Sequence, residues 1–263
     1  LLADVVTSVL SAGENRRIGR AMLEYAMLAD GARVLVAVSG GVDSLVLAWL
    51  LHNWRRKAPI SYDLQAVHID MEPADDGPGT AACLVTACLE EFGLSCVVLP
   101  ATLPAPLSAD IAAESTRDVC FRCARSRRNQ LFEYARIHQF DTVALGHHRD
   151  DIVETFFLNL TCSGNISTMR PSQELFDGRL TLIRPLAYLY KNEISSIAAR
   201  LGLEPVRTNC PLSEETRRLE IRELLDTIYE RIPGSREHIF AALGNVRTEY
   251  LLQTPGHPHA DKS

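Results

Sequence analysis

Three short stretches of the chain carry residue types whose spacing permits chemistry. The first, Ser39-Gly40-Gly41-Val42-Asp43-Ser44, follows an apolar run and precedes a helical one. Two glycines let backbone amides close on an anion, Ser39 and Ser44 offer hydroxyl donors, and a helix N-terminus adds a field that favours phosphate. No Gly-Lys-Ser/Thr follows, so this is not a Walker A loop; the bland alternative is an ordinary strand-to-helix turn. The second stretch, Gly146-His147-His148-Arg149-Asp150-Asp151, sets two adjacent carboxylates at a strand-to-helix corner, where they could hold Mg2+ on phosphates or orient a reacting group. Alone, Asp150 and Asp151 would read as a helix N-cap pair; beside a phosphate loop they read as functional, and one of His147 and His148 could simply pack. The third is Cys120-Phe121-Arg122-Cys123, with Cys210 far along the chain in Asn209-Cys210-Pro211. A lone CxxC is compatible with redox chemistry, zinc or accident. Three cysteines without a clear fourth disfavour a closed tetrahedral zinc site and suit a [4Fe–4S] cluster with one iron left open.

The remaining cysteines, Cys83, Cys88, Cys96 and Cys162, fit buried small hydrophobes. An odd total of seven, without a secretory signal, argues against a disulfide framework.

These stretches need a frame to hold them. Apolar periodicity predicts a helix over 5–28, a buried strand over 33–38 and a helix over 42–54. It then predicts strand 64–69, helix 80–92 closed by Gly93, and strand 94–99. Further on come helix 122–138, strand 142–145, helix 149–160, strand 180–183 and helix 191–201 closed by Gly202. Helices over 213–232 and 236–252 close the chain. Strands alternating with helices imply an α/β fold with a doubly wound, mostly parallel sheet, whose ligands bind at the carboxyl ends of the strands. The expected organisation is an N-terminal helical segment (1–30), a nucleotide-binding domain with the cysteine triad (31–212), C-terminal helices (213–253) and a disordered polar tail (254–263).

With a net charge of −6 and a pI near 5.8, the chain is not a general polyanion binder. Charge is uneven, however: Arg117, Arg122, Arg125, Arg127, Arg128 and Arg136 fall within twenty residues. Such a run is a solvated helix face unless it lies beside an active site, where it would meet RNA phosphates. No apolar run is long enough to span a bilayer, and residues 1–10 contain Asp4 and lack a basic start, so a cytoplasmic location is expected.

The pattern SGGxDS after an apolar strand resembles the PP-loop ATPases, or adenine-nucleotide α-hydrolases, which release pyrophosphate from ATP and leave AMP on a substrate oxygen. Residues 66–70 (AVHID) and the GHHRDD stretch are similar to two further motifs of that family. Cys120-Phe121-Arg122-Cys123 with its Arg-rich continuation, GHHRDD, Ile183-Arg184-Pro185-Leu186, the third cysteine, Arg231-Ile232-Pro233-Gly234 and residues 239–246 together resemble the tRNA 2-thiocytidine synthetases, over roughly residues 17–252. Thiolases with an amino-terminal zinc ribbon are less similar, since no cysteine precedes Cys83.

The resemblance implies that Ala37, Ser39, Gly40, Gly41, Asp43, Ser44, His68, Gly146 and Asp151 bind the nucleotide. It implies that Asp43, Asp150 and Arg128 act in catalysis, with Mg2+ near Asp43 or Asp150, and that Cys120, Cys123 and Cys210 hold the [4Fe–4S] cluster. The expected reaction adenylates the C2 oxygen of a tRNA pyrimidine, cytidine foremost, and replaces it with sulfur. ATP, tRNA and a sulfur donor (sulfide or a cysteine desulfurase persulfide) are the expected partners. No membrane is involved, and a homodimer is allowed. One departure stands out: the thiocytidine enzymes usually carry Lys where this chain has Val42, so another cation, Arg128 or Lys191, is expected to serve. The rivals are a lysidine synthetase-like enzyme without a cluster, an iron–sulfur desulfidase, and a zinc-stabilised RNA-binding protein.

Overall fold

The computed structural model describes residues 9–103, 116–206 and 217–252. Six strands, β1 (Ala32–Ala37), β2 (Tyr62–Asp70), β3 (Cys96–Pro100), β4 (Thr142–Ala144), β5 (Ser172–Leu175) and β6 (Leu180–Ile183), form one sheet in the order β3-β2-β1-β4-β6-β5. Every neighbouring pair is parallel except β5 and β6, which form an antiparallel hairpin. The doubly wound expectation therefore holds, with one antiparallel edge strand added.

Side chains of β1 alternate between two cores, as the pleat requires. Val34 and Val36 face a large cluster that takes in Ile18 of α1 (Ala12–Glu24), most of α2 (Val42–Trp54), Val85 and Leu89 of α3 (Thr80–Glu90), and Ile194 and Ile197 of α6 (Lys191–Leu201). Leu35 faces the opposite core, with Ala135 and Leu131 of α4 (Thr116–Ile137). In α2, residues 44–52 are all buried, so this helix has no polar face and runs enclosed beside the sheet.

Four expectations are corrected by the structure. The helix expected over 5–28 is broken at Leu10 and Ser11: α1 starts at Ala12, where Ser11 and Glu14 form a reciprocal capping box, and ends at Glu24, while residues 5–8 lie outside the described residues. Helix α4 starts at Thr116, so the CxxC pair lies inside it rather than ahead of it. Strand β5 is not predicted by apolar patterning because Ser-Gln-Glu-Leu is polar and unbranched, as a half-exposed edge strand can be. Near the C-terminus, α8 (Ser235–Ala242) stops before Gly244 and Asn245, and among the described residues only a 3₁₀ turn, Thr248–Tyr250, follows. Among the described residues, α5 (Arg149–Cys162) and α7 (Arg217–Arg231) are the remaining helices. Two units are distinguished by their internal contacts, Leu1–Ile221 and Arg222–Ser263. No described helix is long and apolar enough to cross a membrane.

Candidate active site

Going from β1, the chain winds toward β2 and β3 on one side and later returns to β4 on the other. The crevice at the carboxyl ends of β1 and β4 is thus the switch point of the sheet, where ligands bind in such folds. The phosphate loop leaves β1 there, and the GHHRDD stretch leaves β4.

The loop is ordered by its own serines. The Ser39 N–H donates to Ser44 Oγ (3.1 Å), and the Ser44 hydroxyl donates to Gly41 O (2.8 Å). Gly40 adopts φ 92°, and a side chain there would press Val206 and Val85 at 3.2 Å, so both backbone and space require glycine. Gly41 is the N-cap of α2 and supplies no side-chain cap, which leaves first-turn amides for an anion. Val42 packs against the apolar core.

Three helix N-termini converge on this loop. Lys191, the first residue of α6, places Nζ 2.6 and 2.7 Å from the two Asp43 carboxylate oxygens. Its own backbone N–H donates to Asp150 Oδ2 at 2.7 Å, which ties α6 to α5. The positive ends of α2, α5 and α6 and one ammonium group thereby meet around a single acidic residue of the loop.

A cavity of about 730 Å3 opens beside this junction. Ala37, Ser39, Gly41, Asp43, Ser44, His68, Gly146 and Asp151 line it, together with Cys120, Cys123 and Arg128. Residues far apart in sequence are therefore brought to one cleft. Gly40 and Asp150 are not among the lining residues: the Asp150 carboxylate is turned to Lys191 and lies 3.6 Å from His148 Nδ1. Asp151 accepts from the His148 N–H (2.9 Å) and lies 3.6 Å from an Arg218 guanidinium nitrogen. His68 is buried, with Nδ1 2.8 Å from Val38 O, so the ring is fixed between the ends of β1 and β2.

The helical register of α4 sorts its side chains. Cys120, Cys123, Ala124, Arg127, Arg128 and Leu131 recur at three- and four-residue spacing and face the cleft. Arg122 and Arg125 face a separate groove of about 610 Å3 beside Leu99, Thr102 and Tyr134. Cys210 lies outside the described residues, and among those described no group of three His, Cys, Asp or Glu side chains is placed to hold a metal ion. Cys83 and Cys162 are exposed rather than buried, because each sits on the outward side of its helix. Cys88 and Cys96 are half-buried, and burial pushes the Cys96 thiol up to about 11, which makes it a poor nucleophile.

Several lining residues were not singled out from the sequence. Asp70 closes AVHID with a buried carboxylate that accepts from the Gly79 and Glu72 N–H groups at 2.7 and 3.0 Å. Its place at the carboxyl end of β2 was the available signal. Arg127 was hidden among other arginines. Arg218 arrives from distant sequence, and no local pattern announces it.

Burial, followed by the charges of Arg184, Arg218 and His148, pushes the His147 imidazole from 6.5 down to about 4, although Asp151 pulls the other way. An unfolded chain therefore takes up this proton between about 6.5 and about 4, while the folded one does not. Stability is complete above that window and falls as pH drops through it, by roughly 3 kcal/mol from this group. His147→Gln is expected to flatten that part of the stability–pH curve, as measured by urea unfolding across the window.

The fold and the cleft define a nucleotide-binding α/β protein with a phosphate loop at the switch point. A PP-loop domain model matches residues 14–227. The tRNA-cytidine(32) 2-sulfurtransferase of Xanthomonas euvesicatoria pv. vesicatoria (strain 85-10) is 36% identical over 237 residues, which is 90% of this chain and 76% of that one. The enzyme of the same name from Pelobacter propionicus is 36% identical over 240 residues, 89% of this chain and 86% of its own length. The chain therefore belongs to the PP-loop family, in the branch of the tRNA-cytidine(32) 2-sulfurtransferases. Among solved structures, the U34-tRNA thiolase NcsA from Methanococcus maripaludis, with its [4Fe-4S] cluster, shares the fold at TM-score 0.70 and 21% identity, covering 90% of this chain and 79% of that one.

Proposed function

We propose that this protein is an ATP-dependent tRNA sulfurtransferase that adenylates the C2 oxygen of a cytidine and replaces it with sulfur. The observation that carries the proposal is the presence of two thiols, Cys120 and Cys123, and a PP-loop on the walls of one cavity. Zinc-stabilised binding would not require that loop, and base adenylation without sulfur would not require those thiols.

Two cysteines one helical turn apart and facing the same space suit thiolate ligation of an iron–sulfur cluster, with Cys210 as the third ligand. A [4Fe–4S] cluster held by these residues would supply sulfur in nucleophilic form beside the nucleotide. Of the two carboxylates expected near Mg2+, Asp43 lines the cavity and would hold the ion, which neutralises phosphate charge; Asp150 is turned to Lys191, away from the lining.

The chain's own residues do the rest. Backbone amides of residues 39–44 and the N-terminus of α2 orient the triphosphate so that its α-phosphorus meets the C2 oxygen. The new P–O bond forms as the bond to pyrophosphate breaks. Sulfur from the donor then attacks C2, and AMP leaves with the original oxygen. Ser39 and Arg128 stabilise charge on the phosphates, Ser44 holds the loop in shape through Gly41 O and the Ser39 N–H, and Arg127 extends the positive wall toward the RNA backbone. His68 holds the adenine side of the cleft. Sulfide is the sulfur donor in this step; a cysteine desulfurase persulfide serves only with a thiol reductant that releases its outer sulfur as sulfide. The reaction runs in the cytoplasm, where tRNA is found.

Iron and acid-labile sulfide, measured on protein purified without oxygen, test the cysteine assignment. About four of each per chain are expected in the wild type, with loss in Cys120→Ala and Cys123→Ala and no loss in Cys83→Ala. No iron in the wild type after reconstitution would reduce the reading to base adenylation without sulfur.

A further inference from the structure

His147 and Arg184 leave adjacent parallel strands, β4 and β6, at the edge of the cleft. The Arg184 Nε–H donates to His147 Nδ1 at 3.3 Å, and a second guanidinium nitrogen of Arg184 bonds Arg170 O. Arg184 is 6% exposed, so this geometry is enclosed. Burial, and then the charge of Arg128, bring its guanidinium down to about 10, which still leaves it protonated at neutral pH.

An arginine can only donate. His147 Nδ1 must therefore accept, and the ring proton of a neutral imidazole must sit on Nε2. A proton on Nδ1 would confront the Arg184 N–H directly, so the same contact disfavours the imidazolium. The other charged or titratable groups facing this ring are His148 ahead of α5, Asp151 on α5 and Arg218 on α7. Among these only Asp151 favours a positive ring, and Asp151 already faces Arg218 and His148.

The location gives this fixed donor a use. A Cβ on Gly146 would lie 3.0 Å from Asp43 C and Ser44 N, so the corner before His147 abuts the phosphate loop itself. His147, the next residue, lines the cavity there. We propose that His147 acts as a neutral Nε2–H donor to an α-phosphate oxygen of the nucleotide, and that Arg184 is the positioning residue that sets its tautomer. This rests on the reading of the cleft as an adenylation site. A neutral donor suits both steps: it stabilises charge on the α-phosphate as pyrophosphate leaves, and again as AMP departs, without giving up its proton.

The test uses full-length protein with 15N-labelled histidine rings and reads tautomers near neutral pH, with and without a non-hydrolysable ATP analogue. Protonated Nε2 and bare Nδ1 are expected for His147, with the Nε2 signal moving when the analogue binds. Arg184→Met is expected to let the proton redistribute between the two nitrogens. In turnover, His147→Ala is expected to lower kcat for AMP formation by about tenfold to a hundredfold, with KM for ATP changed by less than about threefold. His147→Gln, which keeps an N–H, should recover part of that loss. A proton on Nδ1 in the wild type, an unchanged tautomer in Arg184→Met, or a His147→Ala enzyme with wild-type kcat would each overturn the proposal. The ring spectra need no turnover, so a wild type that makes no thiolated tRNA would count against the functional reading alone.

Discussion

Lys191→Ala is expected to lower kcat/KM for ATP by about a hundredfold to a thousandfold, the scale seen when one preorganised charge donor is removed from a reacting centre. The loop itself offers no cation: residues 39–44 carry only the acid Asp43. Positive charge comes instead from Lys191, whose Nζ spans both Asp43 oxygens. With lysine removed, Asp43 adds an uncompensated negative charge where a triphosphate must bind. The pair is partly exposed, so its worth to folding is small and the cost falls on nucleotide handling. Steady-state AMP and pyrophosphate formation against ATP concentration checks this, with Lys191→Arg retaining much of the rate. Wild-type kinetics in Lys191→Ala would remove this residue from the site.

Gly146→Ala should be nearly as damaging, for a steric reason. The added methyl would meet the Asp43 and Ser44 backbone at 3.0 Å, and backbone cannot swing aside as a flexible side chain does. The β4–α5 corner and the phosphate loop would have to separate by a few tenths of an ångström. Overpacking of this kind costs about 1–3 kcal/mol of stability. Its larger effect is on catalysis, where small misplacements of reacting groups cost on the order of a hundredfold. Calorimetric binding of MgATP together with thermal unfolding separates the two effects: weakened binding in a protein that still unfolds cooperatively is the expected pattern.

What the sequence made legible was chemistry confined to a few consecutive residues. The phosphate loop could be read because a tight anion-binding turn demands Gly40, Gly41 and hydroxyl neighbours, and because an apolar strand precedes it. The alternation of strands and helices gave the sheet its parallel core. Features that depend on three dimensions were not visible. The arginines near the CxxC form one undivided run in sequence, because a helix over them does not say which face meets the cleft; the packed helix turns Arg127 and Arg128 to the cleft and Arg122 and Arg125 to a separate groove. Arg128 and Lys191 stood as equal candidates for the missing loop cation, and only the folded chain brings Lys191 across 148 residues to Asp43. Val42 is explained the same way: its side chain belongs to the core, so the loop cation does not come from that position. Polar β5 carried little signal, although Asp177-Gly178 marked its turn.

The most direct test of the central claim is nucleoside mass spectrometry of tRNA after incubation with the anaerobically prepared protein, ATP, Mg2+ and sulfide. A new 2-thiocytidine is expected, dependent on ATP, absent with Cys120→Ala and accompanied by AMP and pyrophosphate. ATP turnover on tRNA with no sulfur-containing nucleoside, from a protein that holds its iron, would contradict the account.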